Sequence, residues 1–399
     1  MKAQLIAGLD IGTRTLKMVL VRKGEPGSAP ELVAMAEEPS AGVRKGTVMN
    51  ADELSVRIAS LKARLEQMAA TRIEEVVVNL GGSHVYVAPS RGIVAVSRAD
   101  SQVSSEDVER VLQAAQVLSL PPNYEVLDVF PQQFIVDGEA GIHEAAGMRG
   151  VRLEAEVLAV CSFAPYFRNL QTAVLGAGLG ITDIVPSPLA AASAVLTSEQ
   201  KELGVAVVEL GAGTTGLAVY EEGQLLHEAT FPVGSNNITN DIAIGLRCEY
   251  ETAERIKTEY GSCAPQQSRK TEKMELADGT HVSFPRGLLR QIIEARTKEI
   301  FQLVNGELKK IGRQGKLPAG AVLLGGGCKL PGIAEFARKE LKLPARLGKV
   351  EGIEGFPVDP AFGSVAGLVL PFLEMREQGS RGGQGIFRLF RRLIKPFIP

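Results

Sequence analysis

The chain has 399 residues, 45% of them hydrophobic, and a formal net charge of -2 at pH 7. This length and apolar content predict a large core divided over two or more domains. The near-neutral charge argues against a body that binds nucleic acid. Four scattered cysteines and four scattered histidines, without ligand spacing, argue against a metal site of soft ligands and favour a reducing compartment.

The first predicted element is a buried strand at residues 5–9, followed by Asp10-Ile-Gly-Thr13 and a second strand at 16–21. The first apolar run is too short, and meets an acid too early, for a secretory signal. The pattern predicts a hairpin. Its glycine lets backbone N–H groups approach phosphate oxygens, its threonine adds a donor, and its acid suits a hydrated Mg²⁺.

Residues 82–161 predict a self-contained α+β unit. Strands are expected at 85–88, 92–96, 124–130, 133–136 and 153–160, and a helix at 104–118. Ser104 and Asp107 have the spacing of a capping box for this helix. Deleting the unit would rejoin the strand at 76–80 to the first half of the chain.

A second hairpin of the first kind is predicted near the middle of the chain. A strand at 205–208 ends in Glu209-Leu-Gly-Ala-Gly-Thr-Thr215, and a strand at 217–220 follows. Either turn alone is more often an ordinary hairpin. Two copies in matching context predict two similar halves that face each other across a nucleotide.

Two further segments complete this pattern. A strand at 321–324 runs into three glycines, Gly325 to Gly327, and a helix begins near Pro331. Such a turn presents bare backbone to an adenine or ribose. Glu254 and Lys257 lie one turn apart on a predicted helix, where they can reach a nucleoside, although such a pair is also common on helix surfaces.

The C-terminal residues 386–399 predict a short amphipathic helix with a basic face, after a featureless linker at 376–385. This composition favours an anionic membrane surface. Docking of the helix on its own domain, or binding to another partner, remains an alternative. The residues expected to meet the membrane are Ile386, Phe387, Arg388, Leu389, Phe390, Arg391, Arg392, Leu393, Ile394 and Lys395.

In this order and spacing, Asp10-Ile-Gly-Thr, Glu209-Leu-Gly-Ala-Gly-Thr and Gly325-Gly-Gly resemble the actin, heat-shock chaperone and sugar-kinase superfamily. With Ala253-Glu-Arg-Ile-Lys257 and the basic tail, the chain resembles the bacterial FtsA family within it. The resemblance implies an α/β, actin-like two-lobe nucleotide-binding fold with an inserted small α+β domain of the SHS2 type. The implied division is lobe one at 1–81, 162–187 and 345–375, the insert at 82–161, lobe two at 188–344, the linker at 376–385 and the membrane helix at 386–399.

The resemblance also implies ATP and Mg²⁺ between the lobes. The residues expected to bind the nucleotide are Asp10, Gly12, Thr13, Gly211, Gly213, Thr214, Thr215, Glu254, Lys257, Gly325, Gly326 and Gly327. Asp10 and Glu209 are expected to hold Mg²⁺ through water, and no catalytic residue is assigned. Glu209 replaces the usual Asp, and the helix at 188–196 offers Ser193 alone as a polar residue, so we expect slow or negligible hydrolysis.

By the same resemblance, the chain is expected to be an actin-like cell-division protein without nucleic-acid partners. It would tether filaments of the tubulin-like protein FtsZ, through the FtsZ C-terminal peptide, to anionic lipids at the cytoplasmic face of the membrane. It would also form filaments and recruit later division proteins at the septum. The alternatives are a PilM-like pilus adaptor and, with less support, a small-molecule kinase of the same fold.

Overall fold

A computed structural model describes residues 5–24, 28–264, 271–275 and 281–374 of the chain. The strands are β1 (Leu5–Ile11), β2 (Thr15–Arg22), β3 (Glu31–Pro39), β4 (Val43–Arg44), β5 (Thr47–Val48), β6 (Glu75–Leu80), β7 (Tyr86–Ala95), β8 (Tyr124–Val136), β9 (Glu139–Ile142), β10 (Arg152–Phe163), β11 (Gly180–Pro186), β12 (Val205–Leu210), β13 (Thr215–Glu221), β14 (Gln224–Phe231), β15 (Thr271–Glu275), β16 (His281–Pro285), β17 (Ala321–Leu324) and β18 (Ala345–Leu347). The α-helices are α1 (Ala51–Ala69), α2 (Ser105–Ala114), α3 (Ala164–Gly176), α4 (Ser187–Val195), α5 (Ser198–Leu203), α6 (Ser235–Leu246), α7 (Tyr250–Tyr260), α8 (Arg286–Lys310), α9 (Ile333–Leu341) and α10 (Gly363–Glu374). Short 3₁₀ helices lie at Gly326–Lys329 and Pro360–Phe362.

Two five-stranded sheets of the same design form the two lobes. Their strand orders are β3-β2-β1-β6-β11 and β14-β13-β12-β17-β18. In each sheet, three consecutive strands pair antiparallel, and the first of them pairs parallel with the fourth strand of the order. A fifth strand then joins in parallel. This duplication confirms the two similar halves expected from the repeated hairpins.

An apolar layer between the sheets joins the lobes. Helix α4 packs against α10, and Ala190 to Ala192 of α4 are fully buried. The crossing is so close that a Cβ at Gly367 would stand 1.7 Å from the Ala190 carbonyl oxygen. Side chains of both sheets contact this pair of helices in one hydrophobic cluster. The small residues of the two helices therefore bring the two sheets close together.

The inserted unit is a four-stranded antiparallel sheet, β7-β10-β8-β9, with α2 packed on it. The capping box of Ser104 and Asp107 is present at the start of α2. The strand pairs expected at 85–88 with 92–96, and at 124–130 with 133–136, are instead the continuous strands β7 and β8. Both pair with the long strand β10 along most of its length, and that pairing holds them together.

One expected boundary needs correction. Strand β18 pairs parallel with β17 in the second sheet, so Ala345 to Leu347 lie in lobe two. The division from the sequence placed them in lobe one. Across the described ranges, no helix combines the length and apolar character required to span a bilayer. The linker and the predicted membrane helix lie outside the described residues.

Candidate functional site

The two glycine turns close in the same way and face each other. In the first hairpin the Gly12 N–H donates to the Thr15 carbonyl oxygen at 3.2 Å, and in the second the Gly211 N–H donates to the Thr214 carbonyl oxygen at 2.9 Å. A Cβ at Gly213 would stand 2.7 Å from the Thr13 Oγ1. Gly213 therefore has no room for a side chain, and the two turns are in contact between the lobes. We call this pair of turns the clasp.

The acids that precede the turns lie at the floor of this cleft. Asp10 is 6% exposed and accepts a hydrogen bond from Asn79 Nδ2 at 2.7 Å. Lys17 Nζ stands 3.6 Å from Asp10 Oδ2. Glu209, in the other lobe, accepts a hydrogen bond from the Ser364 hydroxyl. The charge of Asp10 acts on Glu209, so the two acids that were expected to hold Mg²⁺ lie near each other.

Burial and mutual repulsion disfavour two negative charges here. Burial raises the pKa of Asp10, against the effect of Lys17. Burial, followed by the charge of Asp10, raises the pKa of Glu209 to about 7. Two neighbouring carboxylates with raised pKa values hold protons readily, and they equally favour an added cation.

Two helices begin at this floor. Ser187 is the first residue of α4, and its hydroxyl accepts a hydrogen bond from Asn79 Nδ2 at 3.0 Å. Ser364 is the second residue of α10 and contacts Glu209. The N-terminal ends of helices carry partial positive charge and free N–H groups. Both helix ends therefore favour an anion in the cleft.

The third glycine turn provides an open backbone surface. Gly325 has φ +92°, and a Cβ there would lie 2.4 Å from the Leu210 carbonyl oxygen. Gly327 is closed in the same way by the side chain of Leu210. Gly326 is exposed, and no atom lies within 4 Å of a Cβ placed on it. Contacts with Leu210 thus exclude a side chain at Gly325 and Gly327, whereas Gly326 faces free space.

Glu254 and Lys257 belong to a polar network on α7. Lys257 Nζ lies 2.7 Å from Glu254 Oε2 and donates to Thr239 Oγ1 at 2.8 Å. Across the cleft, Arg14 Nη1 lies 2.7 Å from Glu254 Oε1. Burial acts to raise the pKa of Glu254, but hydrogen bonds from Lys257 and Thr239 outweigh it, and the pKa lies below its usual value. Glu254 is therefore a carboxylate that connects the lobes.

The structure brings most of the expected site residues together, with one exception. Thr215 is fully buried, and its hydroxyl donates to the Val233 carbonyl oxygen at 2.8 Å. It stabilises the hairpin and does not face the cleft. The residues expected at the membrane, 386–395, lie outside the described residues.

Sequence reasoning missed Lys17, Asn79 and Arg14. Lys17 interrupts the apolar strand β2, and Asn79 interrupts the valines and leucine of β6. A single polar residue in a buried strand was the available signal, because burial of such a group requires a partner. Arg14 had no such signal, since its partner Glu254 is distant in the sequence.

These residues fit a nucleotide with Mg²⁺. The clasp, the two helix ends and the open Gly326 suit phosphates and a nucleoside, and the paired acids Asp10 and Glu209 suit a hydrated cation. Within the part of the chain that the structure describes, no cluster of three or more His, Cys, Asp or Glu side chains forms a metal cage. Mg²⁺ would accordingly depend on water and phosphate for most of its ligands.

Comparison with known proteins gives consistent results along the chain. The family model described as cell division protein FtsA matches residues 206–367, and the model described as the SHS2 domain inserted in FtsA matches residues 82–161. The chain is 35% identical over 382 residues to the FtsA of Pseudomonas aeruginosa, covering 94% of this chain and 91% of that protein. It is 35% identical to the FtsA of Bacillus subtilis over 371 residues, with 92% and 83% covered.

Solved structures show the same fold at low identity. A PilM–PilN type IV pilus biogenesis complex aligns with a TM-score of 0.66 at 22% identity, covering 92% of this chain and 98% of that chain. An MreB of Spiroplasma citri bound to ADP aligns with a TM-score of 0.56 at 14% identity, covering 94% and 99%. The actin-like two-lobe fold with an inserted small domain is thereby confirmed.

Proposed function

The chain belongs to the FtsA family of cell division proteins, and from this premise we propose that it is an ATP-binding adaptor that tethers FtsZ filaments to the cytoplasmic membrane at the septum. The observation that carries the nucleotide part is the convergence of two equivalent glycine turns, their acids and a third glycine turn at one cleft. The two turns belong to different lobes, so a bound nucleotide would connect them.

Each group has a distinct task in this proposal. The Gly12 and Gly211 N–H groups close the two turns. The backbone N–H of Gly213 and the hydroxyls of Thr13 and Thr214 hold the phosphates. Gly325 and Gly327 let this turn pack against Leu210, and Gly326 leaves space for the base. Glu254 with Lys257 orients the ribose or base through charged hydrogen bonds. Asp10 and Glu209 would hold Mg²⁺ through water, and the bound metal would offset phosphate charge.

The chain offers little that would promote hydrolysis. The Ser193 hydroxyl donates to the Leu189 carbonyl oxygen of its own helix at 3.0 Å, so its proton is engaged within α4. Glu209 is held by Ser364. Neither arrangement aligns an attacking water, which positional catalysis requires. Nucleotide therefore serves assembly rather than turnover.

Membrane attachment is proposed from the sequence of residues 386–399. Four basic side chains near an anionic leaflet contribute on the order of 4 kcal/mol. Pro396 should end the helix near Lys395, and a helix this short is unstable in water, so folding on lipid consumes part of that gain. Filament formation would place many weakly binding tails on one assembly, and their combined binding to the membrane would be strong. Self-assembly, binding of the FtsZ C-terminal peptide and recruitment of later division proteins complete the proposal.

Two alternatives keep the same fold. A PilM-like pilus adaptor would share both the body and the insert, and the basic tail with its linker argues against it. A small-molecule kinase needs a catalytic acid and a substrate pocket in the cleft, and it has no reason for such a tail.

A vesicle sedimentation assay tests the proposed function. The full chain and a truncated chain ending at Glu374 are compared with anionic and neutral vesicles, with ATP and with the FtsZ C-terminal peptide. We expect the full chain, but not the truncated chain, to carry the peptide into the pellet. This should happen with anionic vesicles and not with neutral ones. Equal pelleting of both chains would contradict membrane attachment, and failure of the peptide to bind would contradict the tether.

A further inference from the structure

Lys17 is a third charged group at the floor of the cleft. It lies directly opposite Asp10 in the β1–β2 hairpin, and its Nζ is 3.6 Å from Asp10 Oδ2. Its side chain is 11% exposed and that of Asp10 is 9% exposed. A lysine buried to this extent is costly unless opposite charges surround it. The cost of burying Lys17 therefore has to be offset by opposite charges in the cleft.

The neighbours of Lys17 come from both lobes and are mostly acidic. Besides Asp10, its charge acts on Glu209 of β12 and on Asp359, which precedes the second 3₁₀ helix. Asp359 is already paired with Lys329 at 2.6 Å. The ring of Phe362 lies under the ammonium group, 5.5 Å from Nζ to the ring centroid. Lys17 thus stands between acids of both lobes, with the ring of Phe362 beneath its ammonium group.

We propose that Lys17 is a resident counter-cation for Asp10 and Glu209, and that it makes nucleotide binding only weakly dependent on Mg²⁺. When both acids are ionised they carry two negative charges, which would repel a polyphosphate. Lys17 lowers that sum to one negative charge before any metal arrives. This inference rests on the proposed nucleotide binding and concerns how the chain balances charge in that site.

The arrangement has a consequence for the metal. Lys17 and Mg²⁺ act on the same carboxylates, so each reduces the electrostatic benefit of the other. Removing the ammonium charge should therefore weaken nucleotide binding more without Mg²⁺ than with it. Without Mg²⁺ the variant lacks the cation next to the acids, whereas with Mg²⁺ the metal offsets their charge. A lysine that simply bound phosphate would instead matter equally in both conditions.

The test is an equilibrium titration of a fluorescent ATP analogue with the full chain, in Mg²⁺ and in excess EDTA. For the wild type we expect affinity to fall by less than about 10-fold on Mg²⁺ removal, and for Lys17→Met by about 100-fold or more. Lys316→Met removes an exposed lysine from the loop before β17 and should behave as the wild type. An equal loss for wild type and Lys17→Met on Mg²⁺ removal would overturn the inference.

A second variant keeps the test decisive if Lys17→Met does not fold. Glu209→Gln removes one of the two acids, so it should bind the analogue in EDTA at least as tightly as the wild type. Weaker binding of Glu209→Gln than of the wild type in EDTA would overturn the inference. Absence of analogue binding by the wild type in both buffers would overturn the proposed nucleotide function itself, and the inference with it.

Discussion

Arg14 and Glu254 form an ion pair across the cleft, with Arg14 Nη1 2.7 Å from Glu254 Oε1. Arg14 lies in the first glycine turn, in lobe one, and Glu254 lies on α7 of lobe two. Glu254 is already oriented by Lys257 and Thr239. The pair therefore connects a half-exposed arginine of one lobe to a preorganised carboxylate of the other.

Loss of this pair should speed nucleotide release. Arg14 is 46% exposed, so solvent screens the pair and its worth is about 1 kcal/mol, or roughly 5-fold in rate. We expect Arg14→Ala to raise the dissociation rate of a fluorescent ATP analogue by this factor in stopped-flow displacement. Arg22→Ala, which breaks the exposed pair with Glu31 within lobe one, is the matched control. Equal rates for both variants would rule out a role in closure.

The three glycines of the third turn should respond differently to substitution. Gly325→Ala places a Cβ against the Leu210 carbonyl at a positive φ, so we expect a loss of about 2 kcal/mol or more in unfolding free energy. Gly326→Val meets open space and should leave the melting temperature unchanged while weakening nucleotide affinity by about 10-fold or more. Thermal melts and titration separate the two effects. Normal affinity in Gly326→Val would exclude this turn from the nucleotide site.

Hydrolysis should be slow. Because the Ser193 proton is engaged within α4, no side chain of this helix interior is available to position water. We expect steady-state phosphate release from lipid-bound protein well below one per second, and no change in Ser193→Ala. Turnover of several per second in the wild type would contradict the prediction.

Stability should fall as pH rises, in part through Glu228. Glu228 is 2% exposed, its Oε2 has no hydrogen-bond partner among the described residues, and burial raises its pKa to about 8. The unfolded chain has a carboxyl of ordinary pKa. The stabilisation from the protonated form is therefore complete below about 4.5 and is lost as pH rises through about 8.

Calorimetry of Glu228→Gln checks this prediction. The amide stays neutral, so the variant should melt about 5 °C above the wild type at pH 8.5 and close to it at pH 4.5. Glu74→Gln, at an exposed position, should follow the wild type at both values. A constant difference between Glu228→Gln and wild type at all pH values would show that the carboxyl does not titrate in this range.

The capping box should stabilise the inserted domain locally. Ser104 Oγ accepts from the Asp107 N–H at 3.2 Å and donates to Asp107 Oδ2 at 2.7 Å. Burial acts to raise the pKa of Asp107, but hydrogen bonds from Ser104 and Ser97 hold it at about 2. Ser104→Ala should cost about 1 kcal/mol and raise hydrogen exchange in α2.

Its control is the second capping box, Thr197 with Gln200, at the start of α5 in lobe two. Thr197→Ala should raise exchange in α5 and leave α2 unchanged. If Ser104→Ala and Thr197→Ala changed the same peptides, the two caps would not act locally.

Much of the fold followed from local patterns. Strand, acid, glycine and threonine in fixed order identify both hairpins, because turn closure depends on neighbouring residues alone. The Ser104 box follows for the same reason, since its two partners are three residues apart. Strand β18 was assigned to the wrong lobe, because a three-residue strand contains too little pattern to show which sheet it joins.

The amino-acid sequence by itself determined the repeated hairpins, the inserted unit, the acids Asp10 and Glu209, and the composition of the tail. Tertiary structure alone decided that Lys17 and Asn79 surround Asp10, that Thr215 turns away from the cleft, and that Arg14 meets Glu254. These contacts join residues distant in the chain or depend on which face of a strand is buried. Packing of the two sheets on α4 and α10 sets them, and no short window of sequence encodes that packing.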